Sequence, residues 1–376
     1  MKVGERYFKS IWKDEGDHGS VHVIDQRRLP FSFEVMTLGS VTQVYDAIRD
    51  MAVRGAPLIG AVAAWGVYLS FLEHTGGPAH GARPGHDAGP EQYINAAHNN
   101  KRDIYSLVIR DAERLKSARP TAVNLAWAVD YMTAVLKDYP DAGVLQKAAR
   151  GLCNEEEERS RMIGVHGLPL IEAISSKKHG EPVNILTHCN AGWLACVDYG
   201  TALAPVYLAH DRGIRVHVWV DETRPRNQGS KLTAWELLNH GVPCTLITDN
   251  AGGHLMQNGM VDIVLVGCDR ATASGDVANK TGTYLKALAA NDNGVPFWSA
   301  LPASTFDLSV DRPGQIEIEE RDADEVRTID GVNIAPEGIA VSNYGFDVTP
   351  ARLITGLITD RGICRAEKES ILKMLS

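Results

Sequence analysis

The chain has 376 residues, 44% of them hydrophobic and 23% charged, which is typical of a folded globular protein with one large domain or two smaller ones. Its formal net charge of -9 argues against a broad basic surface, and therefore against nucleic acid as a partner. An anionic small molecule remains compatible with this charge, because a phosphate site needs only a few Arg, Lys and backbone N–H groups.

The six cysteines are sparse and form no C-x-x-C motif, which argues against a disulfide framework and a structural zinc site. The first 18 residues mix charges of both signs and lack the apolar run of a secretory signal. The longest apolar stretch, residues 57–72, is short for a membrane span and predicts a buried helix. We therefore expect a cytoplasmic protein with no membrane partner.

The first part of the chain predicts a mainly helical N-terminal domain over residues 1–145, after a short strand-like start at residues 21–26. Apolar spacing predicts helices over residues 43–53 and 57–72. Residues 75–89 are rich in Gly, Pro and His and predict a loop. A polar helix is then predicted up to Ser117.

Two predicted helix starts offer groups that suit an anion. Pro57 fits the first turn of a helix, so the preceding Arg54, Gly55 and Ala56 would lie at its N-terminus. Arg119 precedes Pro120 in the same way. Each start combines a guanidinium with approaching backbone N–H groups, the combination that binds phosphate, although surface Arg residues are usually only solvated.

The second part, residues 146–376, predicts a Rossmann-like α/β domain. Short apolar runs alternate with helical segments every 25–30 residues or so, which favours a parallel sheet covered on both faces. The runs are residues 183–187, 216–220, 244–248, 261–266 and 295–300. Helices are predicted over 192–212 and near 230–240. A 3-2-1-4-5 strand order would make the first and fourth runs neighbours.

Ligands of open α/β sheets bind beyond the carboxyl ends of the strands, where Cys189 and Asp269 would face one crevice within about 10 Å of each other. Cys189 would open the 192–212 helix, whose N-terminus lowers a thiol pKa. Cys196 and Cys268 are interpreted as packing residues near the site. Asp269 is either a turn or N-cap residue, or a general acid whose pKa burial raises.

Further donors for a phosphate are offered by Gln228, Asn279 and Lys280. The chain contains no GxGxxG loop, no Walker A motif and no HExxH motif. Asp221 and Glu222 could hold a metal, but no His or Cys adjoins them in sequence. A solvated or salt-bridged acid pair is the favoured interpretation, and no metal is predicted.

Taken together, these segments resemble the methylthioribose-1-phosphate isomerase family from about residue 21 to 363. Single motifs are weak, but their joint occurrence in family order is specific. The matching stretches are Val53-Arg54-Gly55-Ala56-Pro57, Arg119-Pro120-Thr121-Ala122-Val123-Asn124-Leu125, Thr187-His188-Cys189-Asn190-Ala191-Gly192, Asp221-Glu222-Thr223-Arg224-Pro225, Gln228-Gly229, Gly267-Cys268-Asp269-Arg270, Asn279-Lys280-Thr281-Gly282-Thr283-Tyr284, Ile318-Glu319-Glu320-Arg321-Asp322, Ile334-Ala335-Pro336-Glu337-Gly338 and Asn343-Tyr344-Gly345-Phe346-Asp347-Val348-Thr349-Pro350.

The resemblance implies a helical N-terminal domain, a Rossmann-like C-terminal domain, a homodimer and a cofactor-free aldose–ketose isomerisation of a sugar phosphate in methionine salvage. Carried over by position, it makes Cys189 the thiol at the reacting carbons and Asp269 the acid–base group. It assigns substrate binding to Arg54, Gly55, Ala56, Arg119, Gln228, Asn279 and Lys280.

Two other readings remain. A related isomerase for 5-deoxyribose 1-phosphate or ribose 1,5-bisphosphate would share the thiol and the acid and differ only in the pocket for the 5-substituent. The 75–89 loop and residues Trp193, Cys196 and Asp198 depart from the family pattern and bear on that pocket. A non-catalytic regulatory subunit of a translation-initiation exchange factor would not need both Cys189 and Asp269.

Overall fold

The computed structural model describes residues 1–17, 19–77, 101–119 and 122–376. These residues form two compact units. The larger unit comprises Met1–Phe8, Glu158–Trp193 and Asp198–Ser376, and the smaller unit comprises Lys9–Glu157 and Leu194–Val197.

The strands of the described residues, in chain order, are β1 (Lys2–Val3), β2 (Arg6–Tyr7), β3 (Ile11–Trp12), β4 (Val21–Ile24), β5 (Val35–Leu38), β6 (Val183–Thr187), β7 (Val216–Asp221), β8 (Cys244–Ile247), β9 (Ile263–Val266), β10 (Arg270–Thr272), β11 (Val277–Lys280), β12 (Phe297–Ala300), β13 (Phe306–Asp307), β14 (Thr328–Ile329), β15 (Val332–Asn333), β16 (Phe346–Thr349), β17 (Gly356–Thr359) and β18 (Gly362–Cys364).

The α-helices are α1 (Val41–Arg49), α2 (Ala56–Thr75), α3 (Lys101–Ser117), α4 (Val123–Asp138), α5 (Ala142–Ser175), α6 (Ala204–Asp211), α7 (Ala234–His240), α8 (Ala251–Gln257), α9 (Thr283–Asp292), α10 (Asp324–Arg327) and α11 (Lys368–Leu375). A π-helical segment, Gly229–Thr233, leads directly into α7.

The smaller unit begins with an antiparallel sheet of order β3-β4-β5 and continues as helices packed around α2. The helices predicted over 43–53 and 57–72 are present as α1 and α2, and Pro57 lies in the first turn of α2 as expected. Strand β5 carries no clear alternating pattern and was not predicted. The helix expected at Pro120 begins at Val123, while Pro120 itself lies outside the described residues.

Helix α2 forms the centre of the smaller unit, since every residue from Pro57 to Leu72 is buried. Among the described residues it is the one helix long and apolar enough to cross a membrane, and 83% of its apolar window is buried inside the protein. A helix that is apolar on all sides is expected in the core of a large domain. Of the loop predicted over 75–89, Thr75 ends α2, and residues 78–89 lie outside the described part of the chain.

A seven-stranded sheet of order β18-β17-β12-β9-β6-β7-β8 organises the larger unit. All neighbouring strands are parallel except β17 and β18. The five predicted runs therefore pair as 3-2-1-4-5, and the Rossmann-like α/β prediction is confirmed. All four residues of β9 are buried, which explains its uninterrupted apolar sequence. Strands β13, β10, β11 and β16 form a second sheet that begins where β9 ends.

The helix predicted over residues 192–212 is wrong. A 3-10 turn at Trp193–Ala195 is followed by irregular backbone, and α6 begins only at Ala204. The chain folds back on itself here, since the Thr201 N–H donates to the Ala191 carbonyl at 2.9 Å. Gly200 has a φ of 88°, and a Cβ there would lie 2.5 Å from Gly192 Cα. Two glycines in close contact thus replace the expected helical turns.

Candidate active site

Cys189 lies in a buried turn at the carboxyl end of β6, and no helix starts there, so the expected helix N-terminus does not act on its thiol. Its backbone is in the left-handed region, with a φ of 64°. Thr223 and Thr233 hold the peptide on both sides. The Cys189 N–H donates to Thr223 Oγ1 at 2.9 Å, and Thr233 Oγ1 donates to the Cys189 carbonyl at 2.7 Å. A residue held in a strained conformation by its surroundings is a mark of functional sites.

Gln228 is the first substrate-binding candidate that the structure brings to this turn. The Cys189 thiol donates to Gln228 Oε1 at 3.5 Å. Gln228 directly precedes the π-helical segment, and such segments are frequent at functional sites. The cations on either side of it form ion pairs with distant acids: Arg226 with Glu325 at 2.8 Å, and Lys231 with Asp330.

Asp269 lies between the end of β9 and the start of β10. Its N–H donates to the Ala278 carbonyl at 2.9 Å, which places its backbone beside the end of β11. The residue is exposed, not buried as the general-acid interpretation expected.

Asn279 and Lys280 are the last two residues of β11, and both are buried. Asn279 Nδ2 donates to Thr283 Oγ1 at 3.0 Å. Lys280 Nζ donates to the Gly345 carbonyl at 2.8 Å and lies 4.9 Å from the centre of the Phe346 ring. These contacts fix an amide and an ammonium next to the Asp269 backbone.

The Cys189 and Asp269 turns adjoin. Strands β6 and β9 pair in parallel, so their carboxyl ends share one edge of the sheet. A Cβ built on Gly267 would lie 2.9 Å from Ala191 Cβ and 4.0 Å from Asn279 Oδ1. The larger unit therefore places the turns that carry Cys189, Gln228, Asp269, Asn279 and Lys280 near one edge of the sheet, while the roles of these residues stay predictions. The separation of about 10 Å between Cys189 and Asp269 stays a prediction.

In the smaller unit, Arg54, Gly55 and Ala56 lead into α2 as expected, with Arg54 half-buried. Gly55 has a φ of 94°, and a Cβ there would lie 2.6 Å from Ala195 Cα, so no larger residue fits. Arg119 is half-buried in the turn after α3. The N-terminus of a 20-residue helix beside an arginine suits an anion.

A buried charged cluster, which was not predicted from the sequence, adjoins the Cys189 turn. His188 Nδ1 lies 2.7 Å from Asp221 Oδ2, and Lys286 Nζ lies 2.9 Å from the same oxygen. Asp221 is thus salt-bridged, the interpretation favoured from sequence, but its partners are 33 and 65 residues away along the chain. Donor atoms of His188, Asp221 and Asp249 lie within 4.8 Å of one another, a spacing that would suit a metal ion. The Lys286 ammonium already supplies a cation to Asp221.

A second buried acid supports the same turn and was also missed. Glu236 is fully buried on α7, where it accepts hydrogen bonds from Asn190 Nδ2 and, at 3.1 Å, from the Tyr207 hydroxyl. Burial and the Glu236 charge raise the pKa of Tyr207 well above its usual value. The asparagine that follows Cys189 is therefore anchored to a helix, and no sequence motif signals this contact.

Several other cysteines are poor nucleophiles. Burial, together with the charge of Asp269, raises the pKa of Cys268 well above its usual value. Burial raises the pKa of Cys153 to about 12 and that of Cys364 to about 11. Neutral buried thiols are inert, which agrees with the interpretation of Cys268 as a packing residue.

The chain is similar to known proteins over most of its length. The model of the initiation factor 2 subunit family matches residues 91–366. The chain is 52% identical to methylthioribose-1-phosphate isomerase of Desulfatibacillum aliphaticivorans, over 99% of this chain and 98% of that protein.

Two solved structures are similar over nearly their whole length. One is 5-methylthioribose 1-phosphate isomerase from Pyrococcus horikoshii OT3, with a TM-score of 0.83, 35% identity and coverage of 98% of this chain and 96% of that one. The other is translation initiation factor eIF-2B, subunit delta, from A. fulgidus, with a TM-score of 0.80, 35% identity and coverage of 98% and 99%. Both structures are 35% identical to this chain, so their identities do not distinguish an isomerase from an initiation-factor subunit. The relative that is 52% identical over nearly its full length is an isomerase.

Proposed function

This chain belongs to the methylthioribose-1-phosphate isomerases of the initiation factor 2 subunit family, and we infer that it converts 5-methylthioribose 1-phosphate to 5-methylthioribulose 1-phosphate. The observation that carries the inference is the pairing of Cys189 and Asp269 turns at one edge of the sheet, in a chain about half identical to such an enzyme over its full length. The reaction is an aldose–ketose isomerisation and belongs to methionine salvage.

In our proposal the phosphate ester keeps the anomeric carbon from opening to a free aldehyde. Asp269, protonated once bound substrate excludes water from it, donates a proton to the ring oxygen and opens the ring. The phosphate-bearing C1 is then oxocarbenium-like. The Cys189 thiolate either removes the C2 proton to give an enol phosphate or stabilises the cation while hydride moves from C2 to C1. Hydrogen leaves C2 and enters at C1 in both routes, so no external oxidant or reductant is needed.

In our proposal seven residues bind the substrate. In the larger unit these are Lys280, through its charge, and Asn279 and Gln228, through their amides. Arg54, Gly55, Ala56 and Arg119 supply a guanidinium pair and a helix N-terminus in the smaller unit. Anions are stabilised by such N-termini and bind arginine bidentately.

Two further expectations accompany this function. We expect a cytoplasmic homodimer, as the family resemblance implies, and light scattering on the purified protein would test for twice the chain mass of 40.9 kDa.

Running the reaction in deuterated water separates the two chemical routes. Solvent deuterium at C1 of the product supports proton transfer through the enol phosphate, and its absence supports hydride shift.

The deciding assay offers the purified protein three substrates: 5-methylthioribose 1-phosphate, 5-deoxyribose 1-phosphate and ribose 1,5-bisphosphate. We expect the highest kcat/KM with the methylthio sugar, because an uncharged substituent needs an apolar pocket whereas a second phosphate needs a second cationic cluster. A preference for the bisphosphate would replace the proposed substrate. No turnover of any of the three would favour a non-catalytic subunit.

A further inference from the structure

The charged cluster behind Cys189 is almost completely shielded from solvent. His188 is 1% exposed, Asp221 is 0% exposed and Lys286 is 4% exposed. Removing three ionisable groups from water is costly unless each one is paired, and apolar residues could fill the same space at less cost. The cluster adjoins Cys189 along the chain and contacts Thr281 at the end of β11, and this position suggests what it contributes.

His188 contacts two other segments of the larger unit through its two ring nitrogens. Nε2 lies 2.9 Å from the Thr281 carbonyl, which can only accept, so Nε2 donates. Nδ1 lies 2.7 Å from Asp221 Oδ2, and the same oxygen lies 2.9 Å from Lys286 Nζ. The imidazole is thus held between Asp221 and Thr281 by a contact at each ring nitrogen. His188 itself adjoins Cys189 along the chain, and Thr281 follows Lys280.

The Thr281–Gly282 turn is fixed from two sides. Gly282 has a φ of 109°, and a Cβ there would lie 2.8 Å from His188 Cε1, so the turn rests on the imidazole edge. On the other side, Asp347 accepts from the Gly282 N–H at 2.7 Å and from the Tyr284 N–H at 3.2 Å. Asn279 and Lys280 therefore end in a turn whose position depends on the His188 ring.

The same cluster also supports the thiol. Asp249 lies 4.0 Å from His188 Nδ1, and its carboxylate accepts from the Thr223 N–H at 2.7 Å. Lys286 Nζ donates to the Asp249 carbonyl. Thr223 in turn accepts from the Cys189 N–H. Contacts of the cluster thus continue to the peptide that holds Cys189 in its left-handed conformation.

We propose that His188 is a positioning residue, which joins the Cys189 turn to the Asn279–Thr281 strand end so that the thiol and the substrate-binding groups keep one arrangement. This inference rests on the proposed isomerase function. Misplacing a reacting group by about 1 Å costs a factor of about 100 in rate, which sets the size of the effect to be sought.

Two substitutions of His188 separate its two bonds. The amide of His188→Asn can replace Nδ1 towards Asp221 but is too short to reach Thr281. We expect kcat/KM for 5-methylthioribose 1-phosphate to fall about 100-fold, chiefly through KM, while iodoacetamide labels Cys189 at the wild-type rate, measured by peptide mass spectrometry. His188→Leu removes both bonds, and we expect both kcat and the Cys189 labelling rate to change.

His240→Asn is the matched control. His240 is also a buried histidine, with Nε2 2.9 Å from Asp211 Oδ1, but it lies at the opposite edge of the sheet, where α6 and α7 end. We expect a similar loss of Tm with unchanged kcat/KM and unchanged Cys189 labelling. An equal loss of kcat/KM in His240→Asn and His188→Asn would reduce the role of His188 to stability and overturn the proposal.

Gly282→Ala gives an independent measurement if the His188 variants do not fold. It leaves the imidazole in place and displaces the turn that rests on it, so we expect kcat/KM to fall with Cys189 labelling unchanged. Wild-type kcat/KM in Gly282→Ala would overturn the proposal. If the wild-type protein turns over none of the sugar phosphates, the proposed function fails, whereas a changed labelling rate in His188→Leu alone would still support the coupling of the two turns.

Discussion

The Cys189 thiol differs from its neighbours in its backbone and in its contacts. Its peptide is held by two threonines at a φ of 64°, and its S–H donates to an amide oxygen, Gln228 Oε1. Cys268, only one residue from Asp269, has a pKa raised well above its usual value by burial and by that carboxylate. Proximity to the site is therefore insufficient for reactivity, and the strained turn supports our proposal that Cys189 is the functional thiol.

Removing either proposed catalytic group tests the assignment. We expect Cys189→Ala and Asp269→Asn each to lower kcat by a factor of about 100 to 10,000 with smaller changes in KM, because both groups act on the transition state. Cys364→Ala, which removes a buried thiol on the edge strand β18, serves as control and should keep wild-type kcat. Near-normal turnover in Cys189→Ala would contradict the proposed role of the thiol.

At this scale the sequence was informative where a polar residue lies within three residues of the end of an apolar strand, as Cys189 and Asp269 do. It could not reveal His188 as a bridge, because the partners Asp221 and Thr281 are 33 and 93 residues away. The exposure of Asp269 was also beyond reach, since burial depends on the packing of β10 and β11 rather than on the local motif.

Salt bridges hold the loop that carries Gln228 against a short helix, α10. Glu325 accepts from Arg226 at 2.8 Å and from Arg321 at 2.7 Å. Burial acts to raise the pKa of Glu325, but hydrogen bonds from Arg321 and Arg226 outweigh it and hold the pKa at about 2. The loop is thus tied down by a carboxylate that stays ionised in all but strongly acidic solution.

Glu325→Gln should therefore destabilise the protein in a pH-dependent way. The pKa of Glu325 is lower in the folded protein than the ordinary value of 4.5, so its contribution is fully present above pH 4.5 or so and is lost as pH falls towards 2. We expect a loss on the order of 2 kcal/mol in the free energy of unfolding at pH 7, which shrinks between pH 5 and pH 2.

Denaturant unfolding at a series of pH values would measure this loss. Glu317→Gln, at an exposed carboxylate of the same segment, should show almost no change at any pH. A destabilisation by Glu325→Gln that stays constant down to pH 2 would show that its charge is not the cause.

The start of α2 gives a second prediction for an element. Gly55→Ala combines a positive φ with overlap against the Ala195 backbone, and we expect it to lower the free energy of unfolding by about 2 to 4 kcal/mol. Gly259→Ala is matched in backbone, with a φ of 66°, but its Cβ would meet open space, and it should cost only about 1 kcal/mol. Equal losses in thermal unfolding would show that the Ala195 contact is unimportant.

Elements with sustained apolar periodicity were predictable, and those defined by close backbone contact were not. Helices α1 and α2 appeared where their spacing indicated. Residues 192–203 have an equally apolar sequence, yet the Gly192–Gly200 contact folds them into turns. Apolar side chains can be buried either in a helix or in packed turns, so composition could not distinguish the two conformations.

For the whole molecule, the order of the five central strands followed from their buried apolar sequences and their spacing along the chain. The second sheet did not, because its strands have two to four residues each and carry no measurable alternation. This second sheet positions Asp269, Asn279 and Lys280. The sequence therefore predicted the central sheet of the larger unit better than the second sheet, which carries the proposed substrate-binding residues.

The left-handed backbone of Cys189 has a consequence for evolution and for engineering. Glycine adopts that conformation without steric cost, whereas cysteine is retained there at the expense of the folded state. Because we propose that Cys189 acts on the substrate, laboratory selection for heat resistance alone would enrich glycine at position 189 and give a more stable protein without isomerase activity. A related protein that no longer needs catalytic activity would also be expected to acquire glycine at this position.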